Sequence, residues 1–173
     1  MTTKLFFFAL FAALMTACSN TVDLAIDNPT SEVISCHVDS LYVEVPPQEV
    51  VWVEMNKGDH TITLANDSAI NMNFTESVYM VNPSLSQYLM YEEVYGDMPY
   101  NSSLPNQSID FLGFELDGNY AVIENVVNKV LWDYGPREAL PEMLDIEAGD
   151  RPTVLKLMDM GEFIEQATQS EEG

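Results

Sequence analysis

The chain has 173 residues, in which 6 Lys and Arg stand against 28 Asp and Glu for a formal net charge of −22. That balance excludes nucleic-acid binding, which needs clustered cations to contact phosphate; between Lys57 and Lys129 there is no basic residue at all. The length suits one ordinary domain, able to bury ~70% of its unfolded surface without help from a metal or a disulfide.

Residues 5–15 are uninterruptedly apolar behind Lys4. As a helix they would reach only ~16 Å at ~1.5 Å per residue, against the ~30 Å of a bilayer core. A positive start followed by a short apolar run has the form of a secretory signal. It ends in Met15-Thr16-Ala17-Cys18-Ser19, which resembles the lipobox of bacterial lipoproteins, with Met15 where the family prefers Leu. The resemblance implies a signal peptide over 1–17 and diacylation of Cys18 (palmitate or similar chains), which becomes the new amino terminus. Ser19 after the cysteine resembles the outer-membrane default. Two or more acyl chains give stable attachment without a span, so the expected localisation is the outer membrane of the cell envelope. Loss of 1–17 removes Lys4 and none of the acids.

Over 18–95 the apolar residues alternate with polar ones, the period of a half-buried strand. Val22, Leu24 and Ile26 alternate with Asp23, Ala25 and Asp27, and the pattern returns over 41–45, 51–55, 62–64 and 70–74. Asn28-Pro29-Thr30-Ser31, Pro46-Pro47, Asn56-Lys57-Gly58-Asp59 and Asn66-Asp67-Ser68 supply the turn chemistry between them. In the strand around Cys36, Ile34, Cys36 and Val38 share one face, while Ser35, His37 and Asp39 share the other. A thiolate–imidazole pair of Cys36 and His37 is therefore disfavoured, and Cys36 is expected in the core. Residues 33–64, with Val38-Asp39, Val45-Pro46-Pro47 and Gly58-Asp59-His60, resemble PEGA-type and related Ig-like repeats of bacterial surface proteins, Ser40 standing for their usual glycine. The resemblance implies a small β-sandwich acting as a spacer, adhesion or assembly module.

Tyr88, Tyr91, Tyr95 and Tyr100 cluster around Glu92, Glu93 and Asp97. Tyrosine joins a flat apolar face to a polar tip, so Tyr91, Glu92, Glu93, Tyr95, Asp97 and Tyr100 form the candidate binding segment for a glycan or a basic protein partner. The competing reading makes Tyr88 core and the other rings covers for sheet edges. Residues 96–108, with two prolines, read as a loop or linker. A second β region follows over 109–173: strands at 109–116, 120–127, 129–134, 143–147 and 153–158, with a hairpin turn at Asp117-Gly118. In Trp132-Asp133-Tyr134-Gly135-Pro136-Arg137, Trp132 is expected to anchor a sheet corner ahead of a Gly-Pro turn. Met160, Phe163, Ile164 and Ala167 have the spacing of one short helix.

Catalytic signatures are absent from the sequence. There is no Gly-x-Ser-x-Gly elbow, His-Glu-x-x-His pair, Cys-x-x-Cys or phosphate-binding glycine loop, and Glu92 and Glu93, as strand neighbours, face opposite sides. No catalytic residue, metal site or cofactor is assigned. Asp39-Ser40-Leu41 and Asp67-Ser68-Ala69 resemble the acceptor of an envelope O-glycosylation system, making Ser40 and Ser68 candidate modification sites. The expectation is an all-β, antiparallel Ig-like sandwich, as one domain or two packed subdomains, with a short helix at the end. Its expected role is non-enzymatic binding or assembly at the membrane that holds its anchor, with a carbohydrate-binding accessory protein as first alternative and a hydrolase as second.

Overall fold

The computed structural model describes residues 20–96, 100–145 and 152–171. Within them the chain forms β1 (Thr21–Asn28), β2 (Ile34–Val38), β3 (Leu41–Val45), β4 (Glu49–Asn56), β5 (Gly58–Leu64), β6 (Ala69–Phe74), β7 (Val78–Val81), β8 (Tyr88–Val94), β9 (Asn106–Phe111), β10 (Phe114–Ile123), β11 (Val127–Lys129), β12 (Thr153–Met158) and α1 (Met160–Glu171). Three four-stranded sheets result: a first in the order β11-β7-β1-β4, a second in the order β3-β2-β5-β6 and a third in the order β12-β8-β10-β9. The expected all-β, sandwich-like fold with one short helix is what the chain adopts. Pairing is antiparallel except between β1 and β7, which run parallel with Asp23 level with Val78 and Ile26 with Val81.

The alternation in β1 to β6 builds the principal core. Val22, Leu24 and Ile26 of β1 meet Cys36, Val38, Val43, Val45, Ile62, Leu64 and Phe74 of the second sheet, with Tyr79 and Val81 of β7 closing the cluster. Fully burying each aliphatic side chain contributes about 1.5–3 kcal/mol. Cys36 lies inside this core, where burial pushes its thiol up to about 11; His37, on the opposite face, packs its ring against Tyr42 at 5.2 Å.

β7 has no alternation because both of its faces are covered. Tyr79 and Val81 enter the first core, while Met80 joins Tyr88, Met90, Leu104 and Leu157 in a second cluster with the third sheet. A strand covered on both sides reads as a plain apolar run. The third sheet turns its other face to α1, where Leu89, Phe111, Met158 and Phe163 cluster and the Phe163 ring meets Phe111 edge-on at 5.1 Å. Of the apolar residues spaced for this helix, Phe163 is buried whereas Met160 and Ile164 are exposed. Asp159 caps the helix reciprocally with Glu162: Asp159 Oδ1 accepts the Glu162 N–H at 2.9 Å and Glu162 Oε2 accepts the Asp159 N–H at 3.1 Å. Two orphan helix donors are satisfied in this way.

Several local expectations are corrected. Asp117 and Gly118 lie inside β10, opposite Ser108 and Gln107, and the hairpin turns instead at Leu112-Gly113. Both turn residues have positive φ, 57° and 85°, as the tight two-residue turn between antiparallel strands demands. Gly118 has φ +147°, and a Cβ there would meet Tyr120 Cε2 at 2.9 Å; glycine is kept for the ring that crosses it. Of the expected 129–134 strand only Lys129 lies in a strand, at the end of β11, and Tyr134 makes a single parallel bridge to Lys156. Residues 143–145 form no strand, and the remainder of the 143–147 expectation lies outside the described residues. The 96–108 segment already enters β9 at Asn106. The two sequence regions interleave, since β8 pairs with β10 and β12 of the third sheet while β11 returns to pair with β7 of the first.

Candidate functional site

β1 carries Leu24 and Ile26 toward the core, so Ala25 and Asp27 point to the other face of the first sheet. The register sets Ala25 between Trp52 of β4 and Met80 of β7. A row reading Trp, Ala, Met across a sheet dips at the methyl group. Over that dip lies the segment 130–138, and the result is a cleft of about 490 Å³, with Val50, Trp52, Val78 and Met80 on the sheet side and Val130, Trp132, Asp133, Pro136 and Glu138 on the other. Trp52 is 62% exposed. The chain contains two tryptophans, and both line this cleft.

The wall is fastened by backbone and by charge. Leu155 O accepts the N–H groups of Asp133 at 2.8 Å and Tyr134 at 3.1 Å, and Leu157 N–H returns to Tyr134 O at 2.9 Å. Asp133 Oδ2 accepts the Leu155 N–H at 2.8 Å. The wall then turns through Gly135-Pro136-Arg137-Glu138: Glu138 N–H reaches Gly135 O at 3.3 Å and Glu138 Oε2 accepts the Gly135 N–H at 2.8 Å. Proline second and a positive φ third mark a type II turn, where glycine or asparagine is usual. Here the third residue is Arg137, at φ 60°, a conformation that costs about 1–2 kcal/mol for a residue with a Cβ.

The guanidinium accounts for that placement. Arg137 Nη2 pairs with Asp27 of β1 and Nη1 with Asp159 at the cap of α1, both carboxylates being 1% exposed. Tyr88 of β8 donates its hydroxyl to Asp27 Oδ2 at 2.6 Å. Beside them the buried Lys156 Nζ donates to Glu162 Oε1 at 2.8 Å and to Gly135 O at 2.5 Å. Burial raises the Asp27 carboxyl above its ordinary value, against the opposing pull of the Tyr88 hydroxyl and Arg137, and burial likewise raises the Tyr88 hydroxyl. One arginine thus ties the cleft wall to the first sheet and to the helix cap.

The tyrosine-rich segment is arranged differently from a single platform. Tyr91, Glu93 and Tyr95 share one face of β8 and its extension, and Glu92 turns to the other, where its Oε1 accepts the Ser103 N–H at 3.0 Å and hydroxyl at 2.7 Å. Tyr91 is partly buried in a hollow of about 310 Å³ against α1, with Leu89, Tyr120 and Phe163. Tyr95 donates its hydroxyl to Pro141 O at 2.8 Å, Glu93 is level with Val154, and Tyr100 is exposed. Asp97 and the anchor residue Cys18 lie outside the described residues.

Ser40 and Ser68 are both exposed on turns, next to Asp39 and Asp67 at positive φ. Asp39 also holds His60: Oδ2 faces Nδ1 at 2.7 Å while Nε2 faces Asn56 O at 2.9 Å. Two acceptors on one ring suit the imidazolium, and the Asp39 hydrogen bond raises the His60 pKa. Among the described residues no group of three or more His, Cys, Asp or Glu is placed to hold a metal ion.

The sequence places Trp132 at a sheet corner, and the alternation over 51–55 gives Trp52 no role beyond its place in a strand. The one signal for the cleft was Trp52 itself, a large ring on the polar phase of its strand. No protein-family model matches the chain, no curated protein matches it, and no solved structure matches it. The cleft brings together two indole side chains and the apolar Val50, Val78, Met80 and Val130, with the carboxylates of Asp133 and Glu138 also lining it and one oxygen of each engaged by the wall.

Proposed function

We propose that this chain is a non-enzymatic binding protein of the cell envelope, anchored in the outer membrane through acylated Cys18, and that its ligand is a saccharide seated in the Trp52–Trp132 cleft. The convergence of both tryptophans on one cleft is the observation that carries this reading. Its volume falls within the ~300–1,000 Å³ range of small-ligand sites. An indole gives the apolar face of a pyranose ring a flat partner, and the carboxylate oxygens of Asp133 and Glu138 not used by the wall accept hydroxyl protons. The short apolar run ahead of Cys18 and the small residues before it support the anchor.

Because both tryptophans lie in the cleft, intrinsic tryptophan fluorescence reports on the site. Titration against a glycan array is expected to give a saturable change for one class of neutral saccharide. Trp52→Ala should weaken it about tenfold or more, a loss of at least ~1.4 kcal/mol, with the unfolding midpoint unchanged. Absence of any saturable response would leave a spacer or assembly role. Mass spectrometry of the mature amino terminus tests the anchor: an acylated Cys18 is expected, Cys18→Ser should accumulate precursor, and an unmodified start at Cys18 or Ser19 overturns that part.

A further inference from the structure

We infer that the acylated protein stands with the Thr21 end of its first sheet against the bilayer, so that Lys57, Lys129 and Leu131 meet the lipid headgroups. This rests on the acylation of Cys18 proposed above. Only Ser19 and Asn20 separate Cys18 from β1, and a chain spans at most ~3.3–3.6 Å per residue. The anchor therefore lies within ~10 Å of Thr21. That end has little slack. Asn20 O already accepts the Lys57 N–H at 2.8 Å, and Val22 and Leu24 of β1 are fully buried. Acyl chains seated in the hydrocarbon must hold this end of the sheet at headgroup level, where the polar zone is itself only several ångströms deep.

The topology decides what else arrives there. β4 runs antiparallel to β1, so Asn56 lies opposite Thr21 and Lys57 follows at the same end. β7 runs parallel to β1, with Ser77 O accepting the Asp23 N–H at 2.8 Å, so its preceding residues Glu76 and Ser77 begin at that end. β11 runs antiparallel to β7 and delivers Lys129 opposite Tyr79, from which the chain continues to Leu131. Lys129 Nζ donates to Glu76 Oε1 at 2.9 Å, and Lys57 adds its field at the same carboxylate. Leu131 is 66% exposed and shares a surface hollow with Lys129 and Glu76.

The two lysines not used by the clamp fall at the same end. Downstream of Cys18 the basic residues are Lys57, Lys129, Arg137, Arg151 and Lys156. Arg137 and Lys156 serve the buried clamp, and Arg151 lies outside the described residues. Lys57 and Lys129 remain, and both sit at the tethered end. Each lysine near an anionic leaflet contributes about 1 kcal/mol; Asp23, Asp39, Glu54, Asp59 and Glu76 share this end, so the cations only offset part of the repulsion while the acyl chains and Leu131 hold the contact.

The test uses the native acylated protein, its acylation confirmed by mass, on vesicles of phosphatidylethanolamine and phosphatidylglycerol. Lys57 and Lys129 are labelled with a membrane-impermeant amine reagent, and the rates are compared with those of the otherwise complete mature chain begun at Ser19, which has neither the signal segment nor the anchor, mixed with the same vesicles. Both lysines should react several-fold more slowly in the anchored protein. A long Gly-Ser insertion between Asn20 and Thr21 should restore the faster rate, because it frees the sheet from the surface while keeping the anchor. Equal rates in the anchored protein and the chain begun at Ser19, with acylation of the former confirmed, overturn this orientation and leave the anchored reading standing. A native protein without acyl chains overturns both, and the mass measurement reads that separately.

Discussion

The two junctions of the first sheet are made of different materials. Against the second sheet it presents Val22, Leu24 and Ile26 to an unbroken apolar cluster. Against the third sheet it presents Met80, the open floor of the tryptophan cleft and a buried ion cluster centred on Arg137. An apolar core is stabilised by area removed from water and has no preferred direction. A buried ion cluster is directional and repays its desolvation only while every partner is in place. The first junction closes space, whereas the second holds a wall at a distance and leaves room beneath it.

The second junction is most vulnerable at Arg137. Arg137→Met leaves the Asp27 and Asp159 carboxylates buried without their shared cation, and loss of one partner of such a pair costs about 3–5 kcal/mol. Denaturant unfolding should show that loss, and hydrogen exchange should show 130–138 and the start of α1 opening ahead of β1 to β6. Leu24→Ala carries a similar cost, about 2–5 kcal/mol, but acts on the other junction. It should lower global stability while the native tryptophan emission stays unchanged. Equal effects of both substitutions on the tryptophan signal would remove the distinction between the junctions.

Tyr88→Phe is a smaller version of the first experiment. It removes one hydroxyl from Asp27 Oδ2 and leaves a buried acceptor short of a donor, for about 1–3 kcal/mol. Cys36 reports on the first junction. With its thiol buried and pushed up to about 11, it should resist a water-soluble maleimide in the native protein and react in denaturant; rapid native labelling would show that the first core opens.

The smallest effect belongs to the exposed pair Asp39–His60, under about 1 kcal/mol. His60 is raised, chiefly by its hydrogen bond to Asp39, so its contribution is whole below the ~6.5 of a free imidazole and fades as pH rises through the higher folded value. Asp39 is lowered, chiefly by the same bond; its contribution is whole above ~3.9 and is lost as pH falls through the lower folded value. The stability difference between the native protein and Asp39→Asn should therefore peak between about pH 4 and 6.5 and shrink above neutrality. Urea midpoints across that range measure it.

The first junction was legible in the sequence because its signal is local. Leu24 and Ile26, Val43 and Val45, and Ile62 and Leu64 each announce a face by alternation, whatever strand they later oppose. Gly113 and Gly118 show where local signals fail: Asp117-Gly118 carries the stronger turn dipeptide, yet burying Phe111 and pairing it with Phe114 puts the turn at Leu112-Gly113. Val78 to Val81 hid its strand because tertiary contacts cover both faces. Tyr91, Glu93 and Tyr95 were brought to one face by strand period alone, but their partners, Pro141 for Tyr95 and the α1 surface for Tyr91, belong to distant parts of the chain.

An acidic, strand-rich chain with a core written in period two, and a cysteine facing into that core, can be read from the linear order alone. That Trp52 and Trp132 share a cleft, and that Arg137 reaches Asp27, 110 residues away, is visible once the chain is folded. Hydrophobic periodicity is a property of neighbouring residues, so it survives in the linear order. The partners of a buried charge and the two sides of a cleft are chosen by sheet order and register, which exist only after distant strands have paired.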